Sequence, residues 1–212
     1  MTRVLAGALT ALALTAAVAA AQNRADALAA LKAADVEARR LGAAALRERG
    51  IMADAAALVA ALRDSDAQVR GLAEAALWAV WSRSGDDAID GILAIGVGQM
   101  RDGQLQASVA TFSEIIRRRP DFAEGWNKRA TAYYLLGDWR RSAADCDEVL
   151  RRNPQHFGAL SGYGMIWLQL DEPTRALERF EQALAVNPNL ESVQSTVDAL
   201  RALLIKQRRE AI

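Results

Sequence analysis

The chain is 212 residues long, 52% hydrophobic and rich in alanine, with 26 basic against 26 acidic side chains and a formal net charge of zero. Such a length admits one or two compact domains or one elongated array. The charge balance gives no reason to expect nucleic acid or an anionic bilayer as the main partner. A single cysteine, Cys146, excludes an intramolecular disulfide and a cysteine-based metal cluster.

Alanine is the best helix former and β-branched runs are scarce, so the composition points to an all-α protein. Met1–Ala21 opens with Arg3, continues as an uncharged Ala/Leu run and ends in Ala19-Ala20-Ala21. That order is the pattern of a bacterial-type secretory signal peptide, with cleavage expected before Gln22 and the mature protein periplasmic or secreted. Val4–Ala21 is also just long enough to serve as an uncleaved membrane anchor, which is the alternative. No cysteine follows the run, which argues against a lipid-anchored form.

Residues 22–84 contain two related segments, Leu31–Leu46 and Leu62–Leu77, aligned at an offset of 31. Asp35 and Asp66, Arg39 and Arg70, and Leu41 and Leu72 coincide. The aspartate is placed to cap a helix and the arginine to brace the turn before it. The pair resembles HEAT-like repeats; a plain helical hairpin capping the array that follows is the other reading.

From Asp87 a different period takes over. Pro120, Pro154 and Pro188 stand 34 residues apart, and so do Gly96, Ala130 and Gly164, and Phe112, Cys146 and Phe180. Asp102-Gly103, Gly137-Asp138 and Asp171-Glu172 break each unit near its middle, so each unit reads as two helices ended by proline. Small, bulky and helix-ending residues returning in phase mark a repeat array. The second unit shows the pattern best, in Trp126, Arg129, Ala130, Tyr133, Ser142, Cys146 and Pro154.

These columns are similar to three consecutive tetratricopeptide repeats, 87–120, 121–154 and 155–188. The resemblance implies an α-solenoid of antiparallel helix pairs, in which the first helix of each unit lines a concave groove. It also implies a non-enzymatic scaffold or adaptor that binds a protein or peptide there. By register, the groove residues are Leu93, Val97, Met100 and Arg101, then Asn127, Thr131 and Tyr134, then Ser161, Met165 and Leu168. Asp90, Glu124, Leu135, Gly158 and Gln169 flank them. Met and Tyr on this surface suit an extended peptide or an amphipathic helix. Some members of the family grip a C-terminal carboxylate with paired Lys, Asn and Arg. Here only Asn127, Lys128 and Arg129 hint at that clamp, and Thr131 stands where an asparagine is expected. Arg129 occupies a column that is usually leucine and is expected to be buried against an acid. Asp171 and Pro173 replace the usual glycine and aromatic of the third turn, so a kink is expected there.

After Pro188, the apolar residues Leu190, Val193, Val197, Leu200 and Leu204 share one helical face, so 189–212 reads as a cap helix. In a second reading this helix folds into the groove and the protein is a self-associating assembly component.

No catalytic constellation emerges. His156, the single histidine, shares a column with Phe122 and Leu190, and Cys146 shares one with Phe112 and Phe180; both are packing positions. Acidic pairs such as Asp145/Asp147 read as solvated or intrahelical. Gly96-Val97-Gly98 lies inside a helix and is no phosphate loop. The arginine runs 117–119, 140–141 and 151–152 read as solvated helix ends. Neither a metal nor a cofactor is expected.

Overall fold

The structure, a computed structural model, describes residues 23–210; the predicted signal segment lies outside the described residues. All regular structure in them is helical, and the chain divides into two compact units, with the division between Trp81 and Ser82.

The first unit contains α1 (residues 23–30), α2 (Val36–Arg49), a short 3-10 turn (Met52–Asp54), α3 (Ala55–Ala61) and α4 (Ala67–Trp81). Its two segments repeat hydrogen bond by hydrogen bond. Asp35 accepts from the Ala38 amide at 2.8 Å, and Asp66 accepts from the Val69 amide at 2.9 Å. Three residues after each aspartate-capped start, a guanidinium closes the preceding turn. Arg39 donates to the carbonyls of Ala33 and Ala34, and Arg70 to those of Asp64 and Ser65. The aspartates thereby satisfy orphan N–H groups at each helix start and the arginines the carbonyls of the turn before it, the two residue types that the alignment singled out. Arg39 also grips Asp64 with two bonds of 2.7 and 3.0 Å, and Arg40 grips Asp66 at 3.0 and 2.6 Å. These forks hold α2 to the loop that precedes α4. Beneath them Leu46, Leu58, Leu62, Val69 and Leu77 are buried.

The second unit is three hairpins, α5/α6 (Asp87–Arg101, Leu105–Arg118), α7/α8 (Ala123–Leu135, Trp139–Arg152) and α9/α10 (Phe157–Gln169, Pro173–Val186), followed by α11 (Glu191–Glu210). Inside a hairpin, two columns fit by size. A Cβ on Gly96 would stand 2.4 Å from the Phe112 ring, and one on Gly164 would stand 2.6 Å from the Phe180 ring. Each phenyl ring therefore lies directly on a glycine backbone, and both rings are buried. In the middle hairpin the small residue has grown to Ala130 and the large one has shrunk to Cys146.

The three hairpin turns share one geometry. Gly103, Gly137 and Asp171 all adopt positive φ, of 76°, 75° and 58°. In each, the residue after it bonds back to the carbonyl five residues earlier, Gln104 to Gln99, Asp138 to Tyr133 and Glu172 to Trp167. That is the six-to-one bond of a Schellman motif. The expected kink in the third turn is absent: Asp171 takes the left-handed conformation that glycine takes elsewhere, and Pro173 starts α10, where its missing N–H costs nothing.

Consecutive hairpins meet through another column. Met100 packs on the cluster containing Ala132, Tyr134 on that containing Ile166, and Leu168 on that containing Leu200. Ala132, Ile166 and Leu200 are themselves 34 apart, so α11 takes the place of a fourth unit's first helix. Its buried Val193, Val197 and Leu200 cover the end of the third hairpin. The alternative reading, in which this helix fills the protein's own groove, does not hold: α11 packs against α10, Trp167 and Leu168, and contributes nothing to the cavity between α7 and α9.

Candidate functional site

The first helices α5, α7 and α9 lie side by side and form one face of the second unit. Along it runs the column Val97, Thr131, Met165, all exposed. Val97 and Met165 keep 38% and 40% of their surface in water, high for apolar residues on packed helices.

Between α7 and α9 this face deepens into a cavity of about 150 Å³. Its buried end is made by Ala130, Ser142, Cys146 and Ile166 with Asn127 beside them, and its mouth by Thr131, Tyr134 and Met165. Gly158 and Gly162 form the α9 wall. The end of the cavity is apolar in effect. Ser142 spends its hydroxyl on the Ala130 carbonyl at 2.7 Å. Burial pushes the Cys146 thiol from its ordinary 9.0 up to about 12, with Asp145 and Asp147 adding to the shift, so it stays neutral.

Beside the mouth lies a buried polar cluster that sequence reasoning missed. Glu124, expected on the groove, is buried below it. One carboxylate oxygen meets Lys128 Nζ at 3.0 Å; the other meets Asn127 Nδ2 and His156 Nε2, both at 3.1 Å. The Ala159 amide donates to His156 Nδ1 at 3.1 Å, so Nδ1 is the acceptor and Nε2 carries the proton given to Glu124. Burial alone would raise the Glu124 carboxyl, but the His156 hydrogen bond and the Lys128 ammonium outweigh it and hold the group below its ordinary 4.5. His156 thus caps α9 and ties it to α7, where Phe122 at the same column makes no side-chain cap. The one sequence clue was a polar ring in an otherwise apolar column.

Arg129 behaves as its column suggested. It grips Asp145 with two 2.8 Å bonds and reaches back to Ser113 at 3.0 Å. Asp145 is therefore a buried partner and not a solvated acid. One unit on, Tyr163 reaches back in the same way to Asp147 at 3.0 Å. Two arginines at helix ends also do more than solvate: Arg152 donates to Pro120 O and covers the Trp126 ring at 4.8 Å, and Arg119 donates to Ser84 O.

Of the predicted groove residues, Asn127, Thr131, Tyr134 and Met165 come together around the cavity. Ser161 lies half-buried on α9 with its hydroxyl turned back to the Phe157 carbonyl. Val97 is on the open face of α5, and Arg101 is exposed beside Asp102 at 3.3 Å. Leu93 differs: it is 6% exposed, in the core with Ile89 and Phe112. Met100 and Leu168 also turn toward the seams between units and not toward an open groove. Among the described residues no group of three or more His, Cys, Asp or Glu could hold a metal ion, and no helix is long and apolar enough to cross a membrane.

A family profile described as tetratricopeptide repeat matches residues 93–157 and again 128–191. Residues 93–191 form a tetratricopeptide-repeat array. Over 128 residues the chain is 31% identical to a tetratricopeptide-repeat-containing protein of Rhizobium etli, covering 60% of this chain and 63% of that protein. The chain thus spans less than two thirds of that relative's length. Among solved structures, the repeat array is similar to the first tetratricopeptide domain of Spaghetti (RPAP3) bound to the Hsp90 peptide SRMEEVD. There the TM-score is 0.54 at 18% identity, over 55% of this chain and 93% of that one. The Yersinia enterocolitica type III secretion chaperone SycD, in complex with a peptide of the translocator YopD, gives a TM-score of 0.53 at 11% identity, over 55% and 95% of the two chains. At these identities the tetratricopeptide fold is what is shared.

Proposed function

We propose that this chain is a non-enzymatic protein-interaction scaffold whose repeat array binds an extended peptide or helix across α5, α7 and α9. The observation that carries the reading is the open, largely uncharged column of Val97, Thr131 and Met165 beside a preformed apolar cavity. Preformed clefts with an apolar interior and a few polar groups at the rim are what ligand sites look like. Thr131 and Tyr134 supply that rim, and Lys128 and Arg129 are engaged by Glu124 and Asp145, so neither serves a carboxylate clamp as a free cation. Both structural neighbours described above hold peptides, which supports the same use here. The signal-like pattern of Met1–Ala21 supports a place for the scaffold in the bacterial cell envelope, periplasmic or secreted.

Affinity capture from the cell envelope tests this. The native chain should retain a partner that the double variant Tyr134→Ala/Met165→Ala loses; equal recovery by both defeats the groove assignment. N-terminal sequencing of the exported protein should begin at Gln22, and an intact Met1 on a membrane-bound form defeats the cleaved-signal reading.

A further inference from the structure

The cavity lies in the middle hairpin, where the repeat's own packing rule is broken. In the first and third hairpins a phenyl ring, Phe112 or Phe180, sits on a glycine, Gly96 or Gly164. In the middle hairpin the same two columns hold Ala130 and Cys146, and both of these line the cavity. The alanine Cβ occupies the space where a ring would have to rest, as the 2.4 and 2.6 Å approaches at the two glycines show. Cysteine, far smaller than phenylalanine, leaves volume unfilled. The void of about 150 Å³ is the size at which an engineered apolar cavity in another protein stays dry and takes up benzene.

We infer that this cavity is a receptor for one uncharged, benzene-sized apolar group, which a bound peptide would supply as a Phe, Leu or Ile side chain. For the peptide source the inference rests on the groove reading above; for the cavity's selectivity it does not. The opening faces the right way, since Thr131 and Met165 at its mouth are exposed. The wall is clear as well, because a Cβ built on Gly162 meets no atom within 4 Å. Charged side chains are rejected. Neighbouring charges are already paired, Glu124 with Lys128 at 3.0 Å and Asp145 with Arg129 at 2.8 Å, so an entering carboxylate or ammonium would lose its hydration without gaining a partner.

The test uses the full chain, with toluene and benzoate as probes that share a ring and differ in charge, followed by amide NMR. Toluene should shift the amides of Ala130, Gly158 and Gly162 saturably, and benzoate should leave them unmoved. Ala130→Gly/Cys146→Phe restores the ring-on-glycine pair of the neighbouring units, and should fold and lose at least tenfold in toluene affinity. Gly162→Leu, a substitution into open space that keeps the helix, should do the same and stands in if the double variant does not fold. Absence of toluene binding, or equal binding by native and filled chains, overturns the inference. A displayed library of neutral nonapeptides separates it from the groove reading. Selected peptides should carry Phe, Leu or Ile at one position, lose at least tenfold when it becomes Ala or Asp, and compete with toluene. Peptides that bind native and filled chains alike overturn the side-chain assignment and leave the groove reading standing. Toluene binding with no peptide binder in the library removes the groove reading and leaves the cavity's selectivity in place.

Discussion

Gly164→Ala should destabilise the protein although alanine is the better helix former. Residue 164 lies inside α9, and a Cβ there would sit 2.6, 2.7 and 2.8 Å from Cε1, Cδ1 and Cζ of Phe180, whose ring is 1% exposed. A ring packed on all sides cannot retreat, so the added methyl acts as overpacking, about 1–3 kcal/mol unfavourable. The helix gains about 1 kcal/mol in return, because alanine loses less backbone freedom than glycine. Gly162→Ala, two residues earlier in the same helix, receives that gain with no clash, since nothing lies within 4 Å of its Cβ. Propensity cancels between the two variants, so their difference reads packing alone, about 1–3 kcal/mol. Urea denaturation followed by far-ultraviolet circular dichroism measures it. Adding Phe180→Cys to Gly164→Ala recreates the Ala130/Cys146 pair of the middle hairpin and should show a favourable coupling of about 0.5–3 kcal/mol in a double-mutant cycle. Equal stabilities for Gly162→Ala and Gly164→Ala, or additive behaviour in the cycle, would refute the size-complementarity argument.

Other consequences can be checked on the same material. Asp145→Ala strands the Arg129 guanidinium between α7 and α8 and should lower stability by about 2–3 kcal/mol in denaturant titration, with little change for Glu181→Ala, whose partner Arg201 is exposed. Glu124 has a depressed carboxyl, so its contribution is complete above the unfolded value near 4.5 and is lost as pH falls through the lower folded value. Unfolding free energy should therefore decline on acidification below about pH 4.5, and Glu124→Gln should flatten that decline; an unchanged slope would show the cluster to be uninvolved. Asp171→Gly removes the one non-glycine residue at positive φ among those described and should raise stability by up to about 1 kcal/mol, read as a higher midpoint in thermal unfolding.

How much could be read beforehand differs from element to element. The turn at Asp171 was judged by residue type and expected to kink; the backbone simply kept the Schellman geometry, because aspartate tolerates left-handed φ and proline suits a first helical position. Asp145 was read as a solvated or intrahelical acid, yet it faces Arg129 on the partner helix. Leu93, Met100 and Leu168 were placed on the groove by register, but at their depth the adjacent helix covers them. Glu124 and His156 stand 32 residues apart, and nothing in either local sequence announces that they meet.

Periodicity in the chain was enough to fix the two-helix unit, its length and the identity of its packing columns. Helix ends, glycine contacts and ring positions are local or near-local requirements that must be met again in every copy. The cavity is another matter. It comes from the volume difference between an Ala/Cys pair and a Gly/Phe pair, and that difference becomes empty space only once α7, α8 and α9 are pressed together. Which side chains close over a void and which stand at its mouth is decided by how neighbouring helices stack, a property of the assembled core that no single stretch of sequence contains.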